Sequence, residues 1–220
     1  MQGLDASSMA FLEEATSAYQ ESLDSSPEAL AYLAGRGLDG HAVRTSRLGL
    51  CSTPLPGHER FQGMIAIPYV APVGVVAFKF RRWQDGDGPK YDMPMGQRTR
   101  LYNVIALQGA TDTIAVTEGE FDAMVLTHMV GVPTVGISGS NNWKPHYPRV
   151  LRGFSTVLVV TDNDAKEDGK NPGQDLAARI LTDIPHARNV LLPPGMDVNE
   201  YYLSDGKDAV LRRLGVNVPN

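Results

Sequence analysis

TIAVTEGEFD, at residues 113–122, is the stretch of sequence that decides the fold of the second half of this chain. Its first five residues form an apolar, β-branched run that is typical of a buried strand. Glu118 and Gly119 then make a tight turn before a predicted helix over residues 120–129. A strand that leads directly into a helix is the repeating unit of a parallel sheet. The stretch therefore predicts a carboxylate, Glu118, at the carboxyl end of a buried strand.

The same alternation continues towards the C-terminus. Further apolar runs occur at residues 133–138, 155–161 and 187–192, and a helical pattern occupies residues 174–184. Alternating strands and helices predict an α/β fold with a mostly parallel sheet that is flanked by helices. In such sheets ligands bind just outside the carboxyl ends of the strands. The residues that directly follow each strand are therefore the first candidates for a functional site.

Acidic residues stand at these positions after three of the predicted strands. Asp122 lies about one helical turn beyond Glu118 and faces the same way. Asp162 and Asp164 are two residues apart in extended chain, so their carboxylates point to one side. The six candidate acids are Glu118 and Asp122, Asp162 and Asp164, and Asp197 and Glu200, with Asn199 between the last two.

Carboxylates gathered in this way predict a magnesium site. Mg²⁺ is held by oxygen ligands, commonly one or two carboxylates together with substrate phosphates and water. Several acids at one edge of a sheet would repel one another unless a cation lay among them. Any single acid is also explained as a helix cap or a turn residue. Three clusters after three strands favour the metal site over that alternative.

The charge of the chain is unevenly distributed. The net charge is −5, but the basic residues are concentrated over residues 36–100, and residues 1–35 contain no Lys or Arg. A basic segment beside an acidic one is typical of a protein that holds a polyanion next to a metal site. A chance imbalance on a solvated surface is the alternative interpretation. The candidate phosphate-binding or nucleic-acid-binding bases are Arg60, Lys79, Arg81, Lys90, Arg98 and Arg100.

Composition excludes several classes of protein. With 220 residues, 42% of them hydrophobic and 20% charged, the chain is long enough for one or two globular domains. Its one cysteine, Cys51, excludes a disulfide framework and a zinc site built on paired cysteines. There is no apolar run of membrane-spanning length, and the first ten residues do not have the pattern of a signal peptide. A cytoplasmic location is therefore expected.

A glycine-rich and polar loop at residues 136–142 (GISGSNN) follows a predicted strand. Backbone N–H groups and hydroxyls in such a loop can face a phosphate. A tight strand-to-helix turn without any ligand explains the same residues, and both interpretations stay open at this point.

Residues 117–122 together with Asp162-Asn163-Asp164 resemble the Toprim signature, which has a Glu after one strand and Asp-x-Asp after a later one. Toprim domains occur in primases, topoisomerases and nucleases. The upstream half resembles the catalytic core of DnaG-type primases, and the match extends over about residues 28–206 in the family's order. The segments that carry it are Glu59-Arg60-Phe61 with Ile65-Ala66-Ile67-Pro68, residues 74–81, Pro89-Lys90-Tyr91, Leu101-Tyr102-Asn103 and residues 194–200.

This resemblance implies the RNA polymerase core of a DnaG-type primase, with a bacteriophage origin. The implied organisation is an N-terminal helical lead-in with a small basic α/β subdomain (1–108), a Toprim domain (109–195) and a C-terminal acidic motif with a helical tail (196–220). The implied reaction is metal-dependent synthesis of short RNA primers from NTPs on a single-stranded DNA template. Glu118, Asp162 and Asp164 would be catalytic and would hold Mg²⁺ or Mn²⁺ together with Asp122, Asp197 and Glu200.

The resemblance also implies partners. The family's zinc-binding domain cannot be built with one cysteine, so a zinc-binding primase module and a replicative helicase are expected in trans. Two alternatives remain open. One is a Toprim-type nuclease, which would use the same metal site to hydrolyse DNA. The other is a non-catalytic DNA-binding subunit of a split primase, because Gln62 and Met64 stand where the family often has basic residues.

Overall fold

The computed structural model describes residues 5–109, 111–165 and 168–216. Residues 1–4, at the start of the predicted N-terminal subdomain, and residues 217–220, at the end of the predicted C-terminal tail, lie outside these ranges. The chain divides into two compact units, Met1–Arg98 and Thr99–Asn220. Among the described residues, no helix combines the length and the apolar character that crossing a membrane requires.

The first unit contains three helices and an antiparallel sheet, and the first helix packs on the sheet. The helices are α1 (Ala6–Asp24), α2 (Pro27–Gly35) and α3 (Gly40–Thr45), and a 3₁₀ turn spans Glu59–Phe61. The strands are β1 (Gly49–Leu50), β2 (Ile65–Ala71), β3 (Gly74–Arg81) and β4 (Tyr91–Asp92), and they lie in that order across the sheet. The expected α/β subdomain is built around the long β2–β3 hairpin.

Helix α1 packs very closely on β1. A Cβ atom on Gly49 would lie only 2.5 Å from the Cβ atom of Tyr19, so this position accepts no side chain. Tyr19 is buried in a cluster of aromatic rings that includes Phe78 and Phe80. The ring of His58 lies in the same cluster, with its centroid 5.1 Å from that of Phe80. The apolar face of α1 is thereby anchored to the sheet.

A buried hydrogen-bond chain joins α1 to the loop before the 3₁₀ turn. The backbone N–H of Leu55 donates to the Tyr19 hydroxyl over 3.1 Å, and that hydroxyl lies 2.9 Å from Nδ1 of His58. Burial lowers the pKa of His58, so the ring is neutral near pH 7. Burial also raises the pKa of the Tyr19 hydroxyl.

Replacing Tyr19 with Phe is expected to destabilise the protein by about 1–3 kcal/mol, because two buried partners lose their hydrogen bond. Urea unfolding at about pH 7.5 measures the change. Tyr202→Phe, at a half-buried tyrosine of the second unit, is the matched control. If both variants unfold at the same urea concentration as the parent, the hydrogen-bond chain does not stabilise the fold.

The second unit is a parallel sheet with helices. Its strands are β5 (Thr113–Thr117), β6 (Thr134–Gly136), β7 (Thr156–Val160) and β8 (Arg188–Asn189), in the order β6-β5-β7-β8 with every pair parallel. The helices are α4 (Glu120–Met124), α5 (Tyr147–Leu151), α6 (Pro172–Asp183) and α7 (Val198–Leu214). The predicted fold class is confirmed.

Local geometry differs from the sequence prediction in two helices. The helix predicted over residues 120–129 is α-helical only in α4 and continues as a π-helical turn over Val125–Val130. The C-terminal helix begins at Val198 and is interrupted by Gly206, whose φ of 80° is not helical. The apolar spacing predicts a helix but does not distinguish i→i+4 from i→i+5 hydrogen bonding.

Candidate active site

The turn at Glu118 lies against the neighbouring strand β6. The backbone N–H of Gly139 donates to the carbonyl oxygen of Glu118 over 3.1 Å, and the Thr117 hydroxyl donates to the carbonyl oxygen of Gly119 over 2.9 Å. A Cβ atom on Gly136 would lie 2.9 Å from the carbonyl oxygen of Gly119. The missing side chain at Gly136 therefore lets the turn approach the strand, and Glu118 is held at the carboxyl edge of the sheet.

Helix α6 positions Asp162. A Cβ atom on Gly173 would overlap with the carbonyl oxygen of Asp162, so the helix start touches the backbone at this point. Nε2 of Gln174 donates to the same carbonyl oxygen and to the Thr161 hydroxyl, both over 3.3 Å. Asp162 is half-buried, whereas Asp164 is exposed. The loop after β7 thus presents one carboxylate inside the site and one at its rim.

Asp162 is the electrostatic centre of the acidic cluster. Its pKa is raised to about 7, first by burial and then by the negative charges of four carboxylates. Those four, in decreasing order of effect, are Glu118, Asp197, Asp164 and Glu200. Four of the predicted acids therefore lie within electrostatic reach of Asp162, and these five residues come from three separate segments of the chain.

The sixth acid, Asp122, lies beneath the first turn of α4. It is buried, and Oδ2 of its carboxylate lies 2.9 Å from the position of a Cβ atom on Gly119. Asp122 thus packs beside the Glu118–Gly119 turn. That its carboxylate faces the same way as that of Glu118 stays a prediction.

Asp197 and Glu200 also have a structural role. The Asp197 side chain accepts from the Glu200 N–H over 2.8 Å, and the Glu200 side chain accepts from the Asp197 N–H over 3.1 Å. This reciprocal capping box begins α7. The Asp-x-x-Glu spacing at residues 197–200 is a recognisable sequence signal of such a cap. These two acids therefore fix the start of the helix and also add negative charge near Asp162.

The donor set of this edge fits a hard divalent cation. Burial and then repulsion by neighbouring carboxylates raise the pKa of Asp162, and a cation relieves that repulsion. Asn199 is fully buried, and neither polar atom of its side chain has a hydrogen-bond partner among the described residues. Within residues 5–109, 111–165 and 168–216, no three His, Cys, Asp or Glu side chains already converge on one ion position. The carboxylates are close enough to act on Asp162 electrostatically, but among the described residues they are not already arranged as a set of ligands around one ion position.

Asp162 makes the stability of the metal-free protein depend on pH. Its pKa of about 7 in the folded chain lies above the ordinary value of 3.8, so the folded state binds this proton more tightly than the unfolded state. Stability therefore falls as the pH rises from about 4 to about 7. We expect urea unfolding in chelator to show this fall, and Asp162→Asn to flatten it. Equal pH slopes in both proteins would contradict the expectation.

Two of the predicted bases are buried in the first unit. Lys79 and Arg81 lie on the same face of β3, as the alternation of a strand predicts. Nε of Arg81 donates to the Tyr32 hydroxyl over 2.5 Å, and Nη1 donates to the Tyr91 hydroxyl. Nζ of Lys79 lies 4.3 Å from the centroid of the Tyr91 ring. These phenol and cation–π contacts were not visible in the sequence.

The other bases are more accessible. Lys90 and Arg98 are exposed, and Arg100 in the second unit is half-buried. Arg60 is exposed and forms an ion pair with Asp92 at 3.0 Å. It also borders a pocket of about 250 Å³ in the first unit. Other residues that line this pocket are Gln62, Met64, Arg82, Asp85, Asp87 and Pro89.

Comparison with known proteins decides the family. A Toprim domain matches residues 113–208. Gene 57 protein of Mycobacterium phage D29 is 38% identical over 159 residues, which make up 70% of this chain and 99% of the phage protein. The Aquifex aeolicus primase, solved with its zinc-binding and RNA polymerase domains, superimposes with a TM-score of 0.79 at 21% identity. The alignment covers 96% of this chain and 62% of that one.

The chain belongs to the same family as this phage protein and contains a Toprim domain at residues 113–208. Its fold is that of the catalytic cores of DnaG-type primases. A DnaG primase catalytic domain bound to single-stranded DNA superimposes on this primase core with a TM-score of 0.75 at 22% identity, covering 94% of this chain and 77% of that one. The DNA primase of Pseudomonas putida is 26% identical over 250 residues. That match covers 92% of the primase core but only 37% of the bacterial primase. The chain thus spans a little over a third of the bacterial enzyme. The family implies dependence on a divalent metal.

Proposed function

We propose that this primase core synthesises short RNA primers on single-stranded DNA by metal-dependent nucleotidyl transfer. The observation that carries the proposal is the group of carboxylates around Asp162, at the carboxyl edge of the parallel sheet. Nucleotidyl transfer needs negative charge to be neutralised and two oxygens to be aligned at phosphorus. Oxygen ligands at a sheet edge in a member of this family support that chemistry.

Each acid has a place in the proposal. Glu118, Asp162 and Asp164 are the catalytic carboxylates and hold the metal, either Mg²⁺ or Mn²⁺. Asp122 supports Glu118 from beneath the turn. Asp197 and Glu200 complete the cluster at the start of α7, where the buried Asn199 adds a neutral amide.

The chain's own residues position the carboxylates that would hold the metal. When bound, the metal supplies Lewis-acid stabilisation of the phosphoryl group and lowers the pKa of the attacking hydroxyl. The Glu118 turn, held by the N–H of Gly139, keeps its carboxylate at the sheet edge. Contact with Gly173 and Gln174 fixes the backbone of Asp162.

The proposed bases bind phosphates of the template or of the NTP. Arg60, Lys90, Arg98 and Arg100 present charge at exposed or half-buried positions. Lys79 and Arg81 contribute from within the aromatic contacts of Tyr91 and Tyr32.

The proposed partners are a zinc-binding primase module and a replicative helicase, both in trans, and the proposed location is the cytoplasm. The zinc-binding domain solved with the Aquifex aeolicus RNA polymerase domain supports the first of these partners. The division of this chain at residues 108 and 195 stays a prediction.

Primer synthesis on a defined template tests the proposal. The purified chain, with and without a zinc-binding module, is incubated with single-stranded DNA, labelled NTPs and Mg²⁺ or Mn²⁺. Short RNA that requires template and metal is the expected product on a denaturing gel. Metal-dependent cutting of the DNA without NTPs would replace the proposal with a nuclease. DNA binding without either product would replace it with a non-catalytic subunit.

A further inference from the structure

Asn163 lies in the sequence between Asp162 and Asp164, yet its side chain contacts a different loop. Its Nδ2 donates to the carbonyl oxygen of Leu192 over 2.7 Å. Leu192 belongs to the segment that leads from β8 to Asp197, the residue that caps α7. Asn163 is half-buried, like Asp162 beside it. It therefore links the loop that carries Asp162 to the segment that ends at Asp197.

The backbone of Asn163 holds the same segment. Its carbonyl oxygen accepts from the N–H of Gly195 over 2.8 Å, and its N–H donates to the carbonyl oxygen of Met196 at a longer distance of 3.5 Å. Residues 193–196 form a turn that is closed by a 3.2 Å hydrogen bond, with Gly195 at a φ of 77°. A positive φ at the third position of a turn favours glycine. Three polar atoms of Asn163 thus hold the turn that ends directly before Asp197.

Strand pairing does not reach the acids themselves. β7 and β8 are paired in register as far as Val159, whose carbonyl oxygen accepts from the N–H of Val190 over 2.8 Å. Beyond these residues, the register does not fix how Asp197 lies relative to Asp162. A segment outside a strand ladder has many conformations unless other bonds restrict it. Asn163 supplies such bonds at the point where the two chains leave the sheet.

The oxygen of the Asn163 amide contacts the start of α6. It accepts from Nδ2 of Asn171 over 3.3 Å, and Oδ1 of Asn171 caps α6 by accepting from the N–H of Gln174 over 3.2 Å. Gln174 is also the residue whose side chain donates to the carbonyl oxygen of Asp162. Both ends of the Asn163 amide are therefore satisfied, which fixes its orientation.

We infer that Asn163 is a positioning residue that sets Asp197 relative to Asp162, so that both carboxylates can serve one metal site. This inference deepens the proposed function and rests on its metal site, but it concerns a residue that is not itself a ligand. Asn163 acts through the turn before Asp197, because its side chain is directed to the Leu192 carbonyl. Removing a partner that orients a metal ligand commonly weakens metal binding by about 10- to 100-fold.

A double-mutant cycle on metal affinity tests the inference. Mn²⁺ is titrated into the whole chain without template or NTPs, and free Mn²⁺ is measured by its electron paramagnetic resonance signal. Asn163→Ala and Asp197→Asn are each expected to weaken Mn²⁺ binding by about 10-fold. Asn is as good a helix cap as Asp, so the second change keeps the start of α7.

The double variant shows whether the two residues act together. If Asn163 acts through Asp197, the double variant binds Mn²⁺ about as weakly as Asp197→Asn alone. Independent effects would multiply to about 100-fold. Asn163→Ser, whose shorter side chain does not reach the Leu192 carbonyl without movement of the chain, is a second variant and is expected to behave like Asn163→Ala.

Arg152→Gln is the matched structural control. Nε and Nη2 of Arg152 donate to the carbonyl oxygen of Asp183, the last residue of α6, over 3.2 and 2.6 Å. The variant loses bonds from a side chain to the backbone of the same unit, but it is expected to bind Mn²⁺ like the parent. Asn171→Ala leaves the Leu192 bond in place, so we expect a smaller loss than in Asn163→Ala. Urea unfolding in chelator verifies that every titrated variant is folded.

Parent-like Mn²⁺ binding by both Asn163 variants would overturn the inference, and so would effects that multiply in the double variant. Either result together with primer synthesis by the parent would leave the proposed function standing. Coupled effects on Mn²⁺ binding, without RNA synthesis by the parent, would support the positioning role and reject the proposed function.

Discussion

Replacing Asp162 with Asn is expected to reduce template-dependent RNA synthesis by at least about 100-fold. Asn keeps the shape of the side chain but removes the negative charge at the centre of the cluster. The same change removes repulsion from four neighbouring carboxylates, so the metal-free protein is expected to become more stable at about pH 8. Loss of activity together with a gain in stability identifies a group that serves function at a cost to the fold.

Asp208→Asn is the matched control for this experiment. Asp208 is an exposed residue of α7 and has no part in the proposed site. Its variant is expected to keep parent-like synthesis and parent-like stability. Full RNA synthesis by Asp162→Asn would show that the Asp162 carboxylate is not a ligand of the catalytic metal. A fall in stability instead of a rise would show that the raised pKa of Asp162 does not reflect repulsion.

The second large effect is expected at a glycine that touches no substrate. In Gly173→Ala, the new methyl group would overlap with the carbonyl oxygen of Asp162, and either α6 or the loop after β7 must move. Such overpacking costs about 1–3 kcal/mol. Because the displaced backbone carries a carboxylate that we propose to be catalytic, we expect RNA synthesis to fall by more than about 10-fold.

Gly153→Ala is the control for Gly173→Ala, since a Cβ atom there would meet nothing within 4 Å. Urea unfolding and the primer assay are run on both variants. If Gly173→Ala is destabilised but fully active, the contact supports the fold without positioning Asp162. If both variants behave like the parent, the close approach of α6 to Asp162 is absent in solution.

The capping box formed by Asp197 and Glu200 both stabilises the start of α7 and adds negative charge near Asp162. Asp197 and Glu200 satisfy N–H groups at the start of α7, and the same carboxylates contribute to the raised pKa of Asp162. A helix cap and a member of an acidic cluster are therefore not competing interpretations of these two residues. The cap fixes where the charges lie, and the charges act on Asp162.

The contacts of the buried bases Lys79 and Arg81 also depend on residues that are distant in the sequence. Lys79 and Arg81 are two residues apart on β3 and therefore share one face of the strand. Their contacts with Tyr91 and Tyr32 join segments that are far apart in the sequence. Local pattern specifies which side of a strand a residue occupies, but it does not specify which distant side chain covers it.

What the sequence determined by itself is the alternation of strands and helices and the placement of acids after the strands. These features follow from local periodicity and turn chemistry, which a linear pattern records directly. Glu118 and Asp162 were therefore found without coordinates. Their proximity also followed, because the carboxyl ends of parallel strands meet at one edge.

Only the tertiary structure determined the electrostatic properties of the residues at that edge of the sheet. The pKa of Asp162 depends on burial and on charges from three segments, which no linear pattern specifies. The side-chain amide of the buried Asn199, unpartnered in the described part of the chain, could not be found from the sequence either, because buried amides are usually satisfied by a neighbour. Whether a polar group lacks a partner is a property of every element around it, and it exists only once the chain is packed.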